Sequence, residues 1–218
     1  MLEPTSAIKL WEAQLLVNYF AHELGQPAVD LSGHIRIAGA ILTDDETVNF
    51  GTGPAEVPTP QEGGAASGYS FIVGYDPALS ASWASVVFSD ITVPHSFTRL
   101  AAFGHPELGV LGSATETVTG IGAASELSVQ VPAPGEDNLV LLVVDTDDGS
   151  PVTGAHLAFG AEGASLTPKG LAFDRTNCVA LVSANISGAP VEFLGKMSLP
   201  PDDTDGLVFA LTAPGAAR

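Results

Sequence analysis

The stretch NLVLLVVDTDDGSPVTGA, residues 138–155, contains the most hydrophobic run of the chain and, directly after it, three carboxylates within four residues. The six apolar residues 139–144 predict a buried strand, because a short apolar run bounded by turn residues is typical of a sheet core. The Asp-Gly pair that follows predicts a reversal of the chain. The stretch therefore indicates a core strand that ends in an acidic turn.

The carboxylates of this turn, Asp145, Asp147 and Asp148, have two interpretations. Calcium takes about 6–8 oxygen ligands, which loop carbonyls and water would have to complete. The EF-hand spacing is not present, because His156 occupies the twelfth position, where a Glu is required. Asp-Gly is also ordinary turn chemistry, and DDTDG at 202–206 is a second acidic turn, placed before a strand. We therefore expect a solvated loop that reverses the chain, with calcium as the less favoured alternative.

Strand-like segments recur at short intervals through the rest of the chain. From residue 69 onward they are YSFIVGY, WASVVFSDITV, SFTRLAAF, ETVTGI, ELSVQV, NLVLLVV, GAHLAF, CVALVSA, PVEFLG and GLVFALTA. Gly, Pro, Asp and Asn separate them, and no crossover helices lie between them, which argues against a parallel α/β sheet. The pattern predicts an all-β fold of the β-sandwich or jelly-roll type.

Helical periodicity is convincing in one segment, residues 6–24. A Ser can cap its start, and Gly25 and Pro27 can end it. Its apolar side chains form two adjacent stripes, which would pack on a sheet or on a neighbouring subunit. We therefore predict an N-terminal helix within residues 1–27 and a β-sandwich over residues 28–218.

The periodicity changes to two after this segment. GHIRIAGAIL at 33–42 predicts a strand, and TVNF at 47–50 predicts a return strand after a turn. Residues 51–68 are rich in Gly and Pro and are long for a connection within a compact domain. We expect a mobile surface loop or a boundary there.

A weak internal repeat relates residues 57–125 to residues 131–199, two halves of about 70 residues. At offsets between 69 and 71, Asp76, Phe88, Phe103, Leu111 and Ser113 align with Asp145, Phe159, Phe173, Leu181 and Ser183. A Pro pair and an acidic turn lead into an apolar strand in each half, and a third time in LPPDDTDGLVFAL. Two such units would build one eight-stranded sandwich or two small ones, and chance similarity between Val-, Pro- and Gly-rich strands is the alternative.

Charge is scarce and one-sided in this chain of 218 residues. Charged residues make up 15% of the sequence, against about 25% in a typical domain, a shortfall of roughly 20 side chains. Such a surface loses little hydration on contact and suits packing against copies of itself. A small-residue-rich β-protein without that role is the alternative. The 25 acids against seven Lys and Arg, net −18, argue against binding nucleic acid or an anionic membrane.

Targeting signals are not evident. The N-terminus lacks a basic start, and Glu12 and Gln14 interrupt what would be the apolar part of a secretory signal. No stretch approaches the roughly 20 apolar residues that span a bilayer. We expect synthesis in the cytoplasm and a final location in a virion, with the cytoplasm or export by a non-classical route as alternatives.

Residue types that carry chemistry occur without the spacing that chemistry requires. The histidines are His22, His34, His95, His105 and His156. None pairs with another at a metal-ligand spacing. Cys178 lies in the apolar run NCVALVSA, which predicts a buried, unreactive thiol, and Trp83 is expected in the core. GIGAAS at 120–125 lacks the third Gly of a dinucleotide loop. We therefore predict no catalytic, cofactor-binding or metal-binding residues.

These features together favour a non-enzymatic structural subunit of a large homomeric assembly. The type that fits best is a virion or phage-particle protein, namely a capsid, decoration or tail component that acts through protein–protein packing. Its partners would be copies of itself and other subunits of the same assembly, with no cofactor, nucleic acid or membrane. The alternative is a carbohydrate- or surface-binding β-sandwich module, stabilised by calcium at 145–148.

Overall fold

The computed structural model describes most of the chain after residue 19, and every structural statement below refers to the described residues. They are residues 20–25, 27–29, 33–43, 47–50, 56–58, 67–78, 80–88, 97–104, 106–193, 196–197 and 204–212. Within them the chain forms strands and turns and no helix.

The strands are numbered in chain order. They are β1 (Phe20–Leu24), β2 (Ala28–Val29), β3 (Ile35–Thr43), β4 (Thr47–Asn49), β5 (Glu56–Pro58), β6 (Ser67–Tyr75), β7 (Ala81–Phe88), β8 (Arg99–Gly104), β9 (Glu107–Ala114), β10 (Val118–Ile121), β11 (Glu126–Val129), β12 (Asn138–Asp145), β13 (Pro151–Gly160), β14 (Ser165–Asp174), β15 (Val179–Ser187), β16 (Val191–Phe193), β17 (Lys196–Met197) and β18 (Thr204–Thr212).

The described strands form three sheets and one short ribbon, and every pairing is antiparallel. Sheet I has the order β1-β3-β6-β7-β10-β11, with β2 also paired to β3. Sheet II has the order β17-β16-β13-β12-β9-β8, and sheet III has the order β14-β15-β18. The ribbon is β4 with β5.

Strand β12 lies inside sheet II and is buried on both faces. Alternate side chains of β12 belong to the core shared with sheet III: Leu139, Leu141 and Val143. The others belong to the core shared with sheet I: Val140, Leu142 and Val144. A strand covered on both faces has no polar face, which explains the unbroken apolar run LVLLVV. The described strands therefore form three stacked layers with sheet II in the centre.

Each layer has an apolar face that fits this stacking. Trp83 and Ile72 of sheet I pack in the same cluster as Val110 of sheet II. On the far side of sheet II, the rings of Phe103 and Phe173 lie with their centroids 4.8 Å apart and join sheets II and III. A third cluster lies on the side of sheet I that is turned away from sheet II. It is made mainly of aromatic and branched side chains: Ile37, Ile41, Phe50, Tyr69, Phe71, Val73, Tyr75, Ala81, Ala84 and Val86.

The all-β class predicted from the sequence is confirmed. A β-sandwich has two packed sheets, whereas here a third sheet covers the second face of sheet II. The sequence pattern did not indicate this third layer, because an apolar strand has the same composition under one sheet or between two. The jelly-roll arrangement and the division into residues 1–27 and 28–218 stay predictions.

The predicted N-terminal helix is wrong at its end. Residues 1–19 lie outside the described residues, but Phe20–Leu24 form strand β1 along β3. The backbone N–H of Gly25 donates to the carbonyl of Ala38 at 2.8 Å, and β2 continues along the same edge of β3. Pairing with an otherwise open sheet edge supplies backbone hydrogen bonds to a whole strand, and this outweighs a local helical periodicity.

The return strand predicted at TVNF exists but pairs differently. Strand β4 lies against β5 and not along β3. Strand β5 and the beginning of β6 both fall within residues 51–68, which the sequence suggested as a loop. The remaining residues of that segment, 51–55 and 59–66, lie outside the described residues.

Strands at matching positions of 57–125 and 131–199 occupy matching places in successive sheets. The hairpin β6–β7 lies in sheet I and the hairpin β12–β13 in sheet II. The hairpins that follow, β8–β9 and β14–β15, lie in sheets II and III. Strand β18, after the third Pro-rich turn segment, lies in sheet III. The internal repeat itself stays a prediction, with which this order is consistent.

Burial of Tyr75 predicts a loss of stability at high pH. Its hydroxyl donates to the carbonyl of Phe50 at 2.9 Å, and burial raises the pKa of Tyr75 from 10.0 to about 12. The unfolded phenol ionises near pH 10, so the stabilisation is complete below pH 10 and is lost between pH 10 and 12. We expect the free energy of unfolding to fall by on the order of 2 kcal/mol across that window.

Urea denaturation at a series of pH values measures this fall. The control is Tyr75→Phe, which is less stable at neutral pH but has no phenol to ionise at this site. The wild-type protein should lose more stability than this variant between pH 10 and 12. Equal losses in the two proteins would contradict the role of Tyr75.

Candidate functional site

In the acidic turn that joins β12 to β13, carboxylates accept hydrogen bonds from backbone N–H groups of the same turn. An Asp145 carboxylate oxygen accepts the backbone N–H of Asp147 at 2.7 Å, and an Asp148 oxygen accepts that of Ser150 at 2.8 Å. The backbone N–H of Gly149 donates to the carbonyl of Asp145 at 2.9 Å. Within the part of the chain that the structure describes, no group of three or more His, Cys, Asp or Glu is placed to hold a metal ion.

The same turn is docked on sheet I. The carbonyl oxygen of Thr146 accepts the indole N–H of Trp83 at 2.7 Å and the guanidinium of Arg36 at 3.1 Å. The hydroxyl of Ser85 donates to the carbonyl of Gly149. The predicted chain reversal is confirmed, but the expectation of a solvated loop is wrong for its backbone. Thr146, Gly149 and Ser150 of the turn are buried, and the exposed member is Asp147.

Arg36 is a cation inside the fold, with 3% of its surface exposed. Its guanidinium also donates to the carbonyl of Tyr75 at 3.3 Å and lies 5.3 Å from the centroid of the Trp83 ring. These carbonyl oxygens and the aromatic face help to compensate the buried charge of Arg36. Arg36 and Trp83 therefore join the acidic turn of sheet II to sheet I, and Trp83 lies in the core as predicted.

The structure locates two of the five histidines in detail. His156 lies half-buried in β13, its ring centroid 5.6 Å from that of Phe159, and burial lowers the pKa of His156. His34 is half-buried just before β3. His22 lies in β1, not in a helix. The other two, His95 and His105, lie outside the described residues.

Cys178 lies in the turn between β14 and β15, and not within a strand as the run NCVALVSA suggested. It is partly exposed rather than buried, and its thiol donates to the carbonyl of Arg175 at 3.7 Å. Its φ of 54° is in the left-handed region, which is uncommon for a residue with a side chain. The turn conformation explains why the strand begins one residue later, at Val179.

DDTDG at 202–206 is corrected in the same way. Thr204, Asp205 and Gly206 belong to strand β18 and not to a turn before it. Asp202 and Asp203 lie outside the described residues. The second acidic segment is therefore not a copy of the hairpin turn at 145–150.

We predict that millimolar calcium leaves the melting temperature unchanged, because Asp145 and Asp148 already accept backbone N–H groups. Asp147→Ala should have the same melting temperature with and without calcium. Asp148→Ala should lower the free energy of unfolding by about 1 kcal/mol through the lost bond to Ser150. Thermal denaturation measures all three, and a calcium-dependent rise that Asp147→Ala abolishes would contradict the prediction.

Sheet III has one face in the core and one face directed outward. The inward side chains pack against sheet II in a shared apolar cluster. The outward positions form five cross-strand rows with one residue from each of β14, β15 and β18. The rows are Ser165, Ser187 and Thr204; Thr167, Asn185 and Gly206; Gly170, Ser183 and Val208; Ala172, Leu181 and Ala210; and Asp174, Val179 and Thr212. We call these fifteen positions the outer face.

The outer face is almost free of charge. About one residue in four is charged in a typical domain, so roughly four charges would be ordinary among fifteen positions. Asp174 is the one charged residue in the five rows. Hydrogen bonds from the side chain and backbone of Asn177 lower the pKa of Asp174, so this carboxylate serves the turn that follows β14. The exposed Lys169 is the extra residue of a β-bulge in β14 and lies outside the rows.

Two large apolar side chains are exposed near the middle of the outer face. Leu181 is 45% exposed and Val208 is 73% exposed. Ala172 and Ala210 flank Leu181 in its row, and Ser183 lies beside Val208. Small hydroxyl and methyl groups around an apolar centre lose little hydration on contact, which is a property of protein–protein interfaces.

Strand β18 forms one edge of sheet III. It pairs with β15 along all nine residues from Thr204 to Thr212, and no described strand pairs with its other edge. The strand contains no Pro and no Lys, and Asp205 is its one charged residue. Long apolar edges without such blocking residues are the sites at which sheets pair with further strands.

Comparison with known proteins does not place the chain in a family. No family model matches it, no curated protein matches it, and no solved structure matches it. Within the described residues, no helix is long and apolar enough to span a membrane. Function is therefore inferred from the geometry and chemistry of this chain.

Proposed function

We propose that the chain is a non-enzymatic structural subunit of a large homomeric assembly, with copies of itself and other subunits of that assembly as partners. The observation that carries this proposal is the outer face of sheet III, which has one charge among fifteen positions and exposes Leu181 and Val208 at its centre. Exposed apolar patches framed by small polar residues mark surfaces that other proteins cover.

Electrostatics favour this face as the contact between copies. Each chain has a net charge of −18, so two copies repel one another over most of their surface. Ions screen charges beyond about 8 Å at physiological salt, and close contact between charged surfaces stays unfavourable. The outer face brings almost no like charge into contact, so self-association through it costs little electrostatic free energy.

The size of the face argues for several contacts per subunit. Three strands of nine or ten residues present a face of about 15 by 30 Å, which is on the order of 450 Å². A stable pairwise interface buries about 800 Å² on each partner. The outer face alone therefore supports a weak contact, and a lasting assembly needs it to act together with others, as subunits of a shell or a tube do.

A virus or phage particle is the assembly that fits, with the chain as a capsid, decoration or tail component. Sandwich and jelly-roll subunits build many such shells. The jelly-roll arrangement of the strands is proposed together with this function. The stacked sheets share apolar cores that hold the layers together. The net charge of −18 favours a position away from packaged nucleic acid, which repels an acidic surface.

We predict that native mass measurements from micromolar to millimolar concentration detect complexes whose population rises with concentration and with salt. Leu181→Glu and Val208→Glu should each weaken association by about tenfold or more, because each adds like charges to the contact. The matched control is Val152→Glu, which adds the same charge at an exposed valine of β13. A monomer at every concentration, or an equal effect of the control, would contradict the proposal.

A further inference from the structure

Among the described residues, one edge of strand β18 has no partner strand, at a position that is paired in the other two sheets. In sheet I, β6 lies between β3 and β7, and in sheet II, β12 lies between β9 and β13. In sheet III, β18 lies beside β15, which corresponds to β9 and β3, and the described residues provide no strand on its other side. The edge of β18 therefore corresponds to edges of β6 and β12 that pair with an antiparallel strand in sheets I and II.

We propose that this edge binds β18 of a second copy of the chain, in an antiparallel pair centred on Val208. The inference rests on the proposed function, because it specifies how two subunits of the assembly meet. The pair would join two copies of sheet III into one continuous six-stranded sheet. Backbone N–H and C=O groups of both edges would then be satisfied by each other.

The register follows from symmetry and from the alternation of the strand. A two-fold axis at Val208 pairs all nine residues of β18, with Thr204 opposite Thr212 and Gly206 opposite Ala210 of the other copy. Outward residues then oppose outward residues, so the outer faces of both copies form one surface. The half-exposed Leu207 and Phe209 oppose each other on the inner side and cover one another.

Charge favours the same register. Asp205 opposes Leu211 of the second copy, and the two Asp205 residues lie six positions apart along the pair, about 20 Å. That separation is roughly twice the screening length at physiological salt. A pair centred on Asp205 would place two carboxylates directly opposite each other and would use fewer residues of the strand, so both considerations disfavour it.

The joined sheet also has the area that a single outer face lacks. Two outer faces side by side present on the order of 900 Å², close to the area of about 800 Å² per partner that a stable interface buries. The edge pair would therefore form the surface through which the assembly makes its next contact.

Cysteine cross-linking tests the register in the assembled protein. The background variant is Cys178→Gly, since glycine adopts the positive φ of that position without a steric penalty. In this background Val208→Cys should form a disulfide-linked dimer under mild oxidation, because opposed Cα atoms lie about 4.5–5.5 Å apart, within disulfide range. Ala210→Cys, on the same exposed face, should cross-link about tenfold less, because its copies lie about 14 Å apart.

A charge exchange at the same position gives a second measurement. Val208→Glu and Val208→Lys proteins should each pair weakly with themselves, and a mixture of the two should pair about tenfold more strongly. Native mass spectrometry of the mixture, with one protein isotope-labelled, counts the mixed dimers. Preference for mixed pairs requires that the residue faces its own copy.

The outcomes separate this inference from the proposed function. Cross-linking at 208 and not at 210, together with preferred mixed pairs, supports the edge pair. If complexes form but neither of these two results is obtained, the edge pair is overturned and the proposed assembly is not. A protein that stays monomeric in every arm, for example because another segment of its own chain covers the edge, overturns both.

Discussion

Replacing either Leu141 or Leu142 by Ala is expected to lower the free energy of unfolding by about 3–5 kcal/mol. Leu141 is 2% exposed and packs in the core shared with sheet III, and Leu142 is 0% exposed and packs in the core shared with sheet I. Each substitution leaves a cavity between two sheets, and the neighbouring strands on both sides limit its collapse. Adjacent residues of one strand should thus be equally sensitive.

Urea denaturation followed by circular dichroism measures these losses. The control is Val152→Ala, an exposed position on the neighbouring strand β13, which should change stability by less than about 0.5 kcal/mol. A sandwich of two sheets would leave one of the two leucines on an outer face. A large loss for one leucine and almost none for the other would therefore contradict the three-layer arrangement.

Gly149→Ala is expected to lower the free energy of unfolding by about 3 kcal/mol or more. The φ of Gly149 is 74°, a conformation that costs a residue with a Cβ about 1–2 kcal/mol. An added Cβ would also overlap the ring of Trp83 and lie 2.7 Å from the hydroxyl of Ser85. Overpacking of this kind costs about 1–3 kcal/mol, because neither neighbour can move without breaking its bond to the turn.

Gly135→Ala separates the two contributions. The φ of Gly135 is 86°, and an added Cβ there meets no atom within 4 Å. This control should lose about 1 kcal/mol, from backbone strain alone. Thermal and urea denaturation of both variants compare the losses directly, and equal losses would mean that the turn at 149 is not clamped against Trp83.

Sequence reasoning found strands where apolar residues are continuous, as in NLVLLVV, or alternate with polar ones, as in ELSVQV. Strands β9 and β14 were missed, because β9 carries Gly109 and Gly112, and β14 carries Pro168 and Gly170, which read as breaks. Pro168 is tolerated since β14 lies at an edge of sheet III, where one side of the strand needs no ladder hydrogen bonds. Whether a strand tolerates Pro or Gly depends on the position of that strand within its sheet. A local sequence pattern does not show this position.

The error at the N-terminus has a similar cause. Helical periodicity and capping residues are properties of the segment itself, whereas the strand β1 exists because β3 offers an edge. Long-range pairing of this kind overrides local propensity. A prediction from local windows of sequence detects the helical periodicity but not the distant strand edge. For this reason the predicted helix was wrong for Phe20–Leu24.

The outer face was not predicted because two apolar strands look alike in sequence. NLVLLVV of β12 and GLVFALT of β18 are apolar on both faces, yet β12 is covered by sheets on both sides and β18 on one. The scarcity of charge led us to expect a contact surface. Locating that surface requires knowing how many sheets are stacked, which the sequence does not show. Val208 became a candidate only through its exposure at the end of the stack.

The shift of matching hairpins from one sheet to the next has a consequence for how such a chain can vary. Hairpins β6–β7 and β8–β9 form one such pair and hairpins β12–β13 and β14–β15 another, and each pair, called a unit here, occupies one layer and the following one. Packed sheets lie about 10 Å apart. Gain or loss of one unit would therefore thicken or thin the molecule in increments of that height, while every interior layer kept neighbours of the same kind.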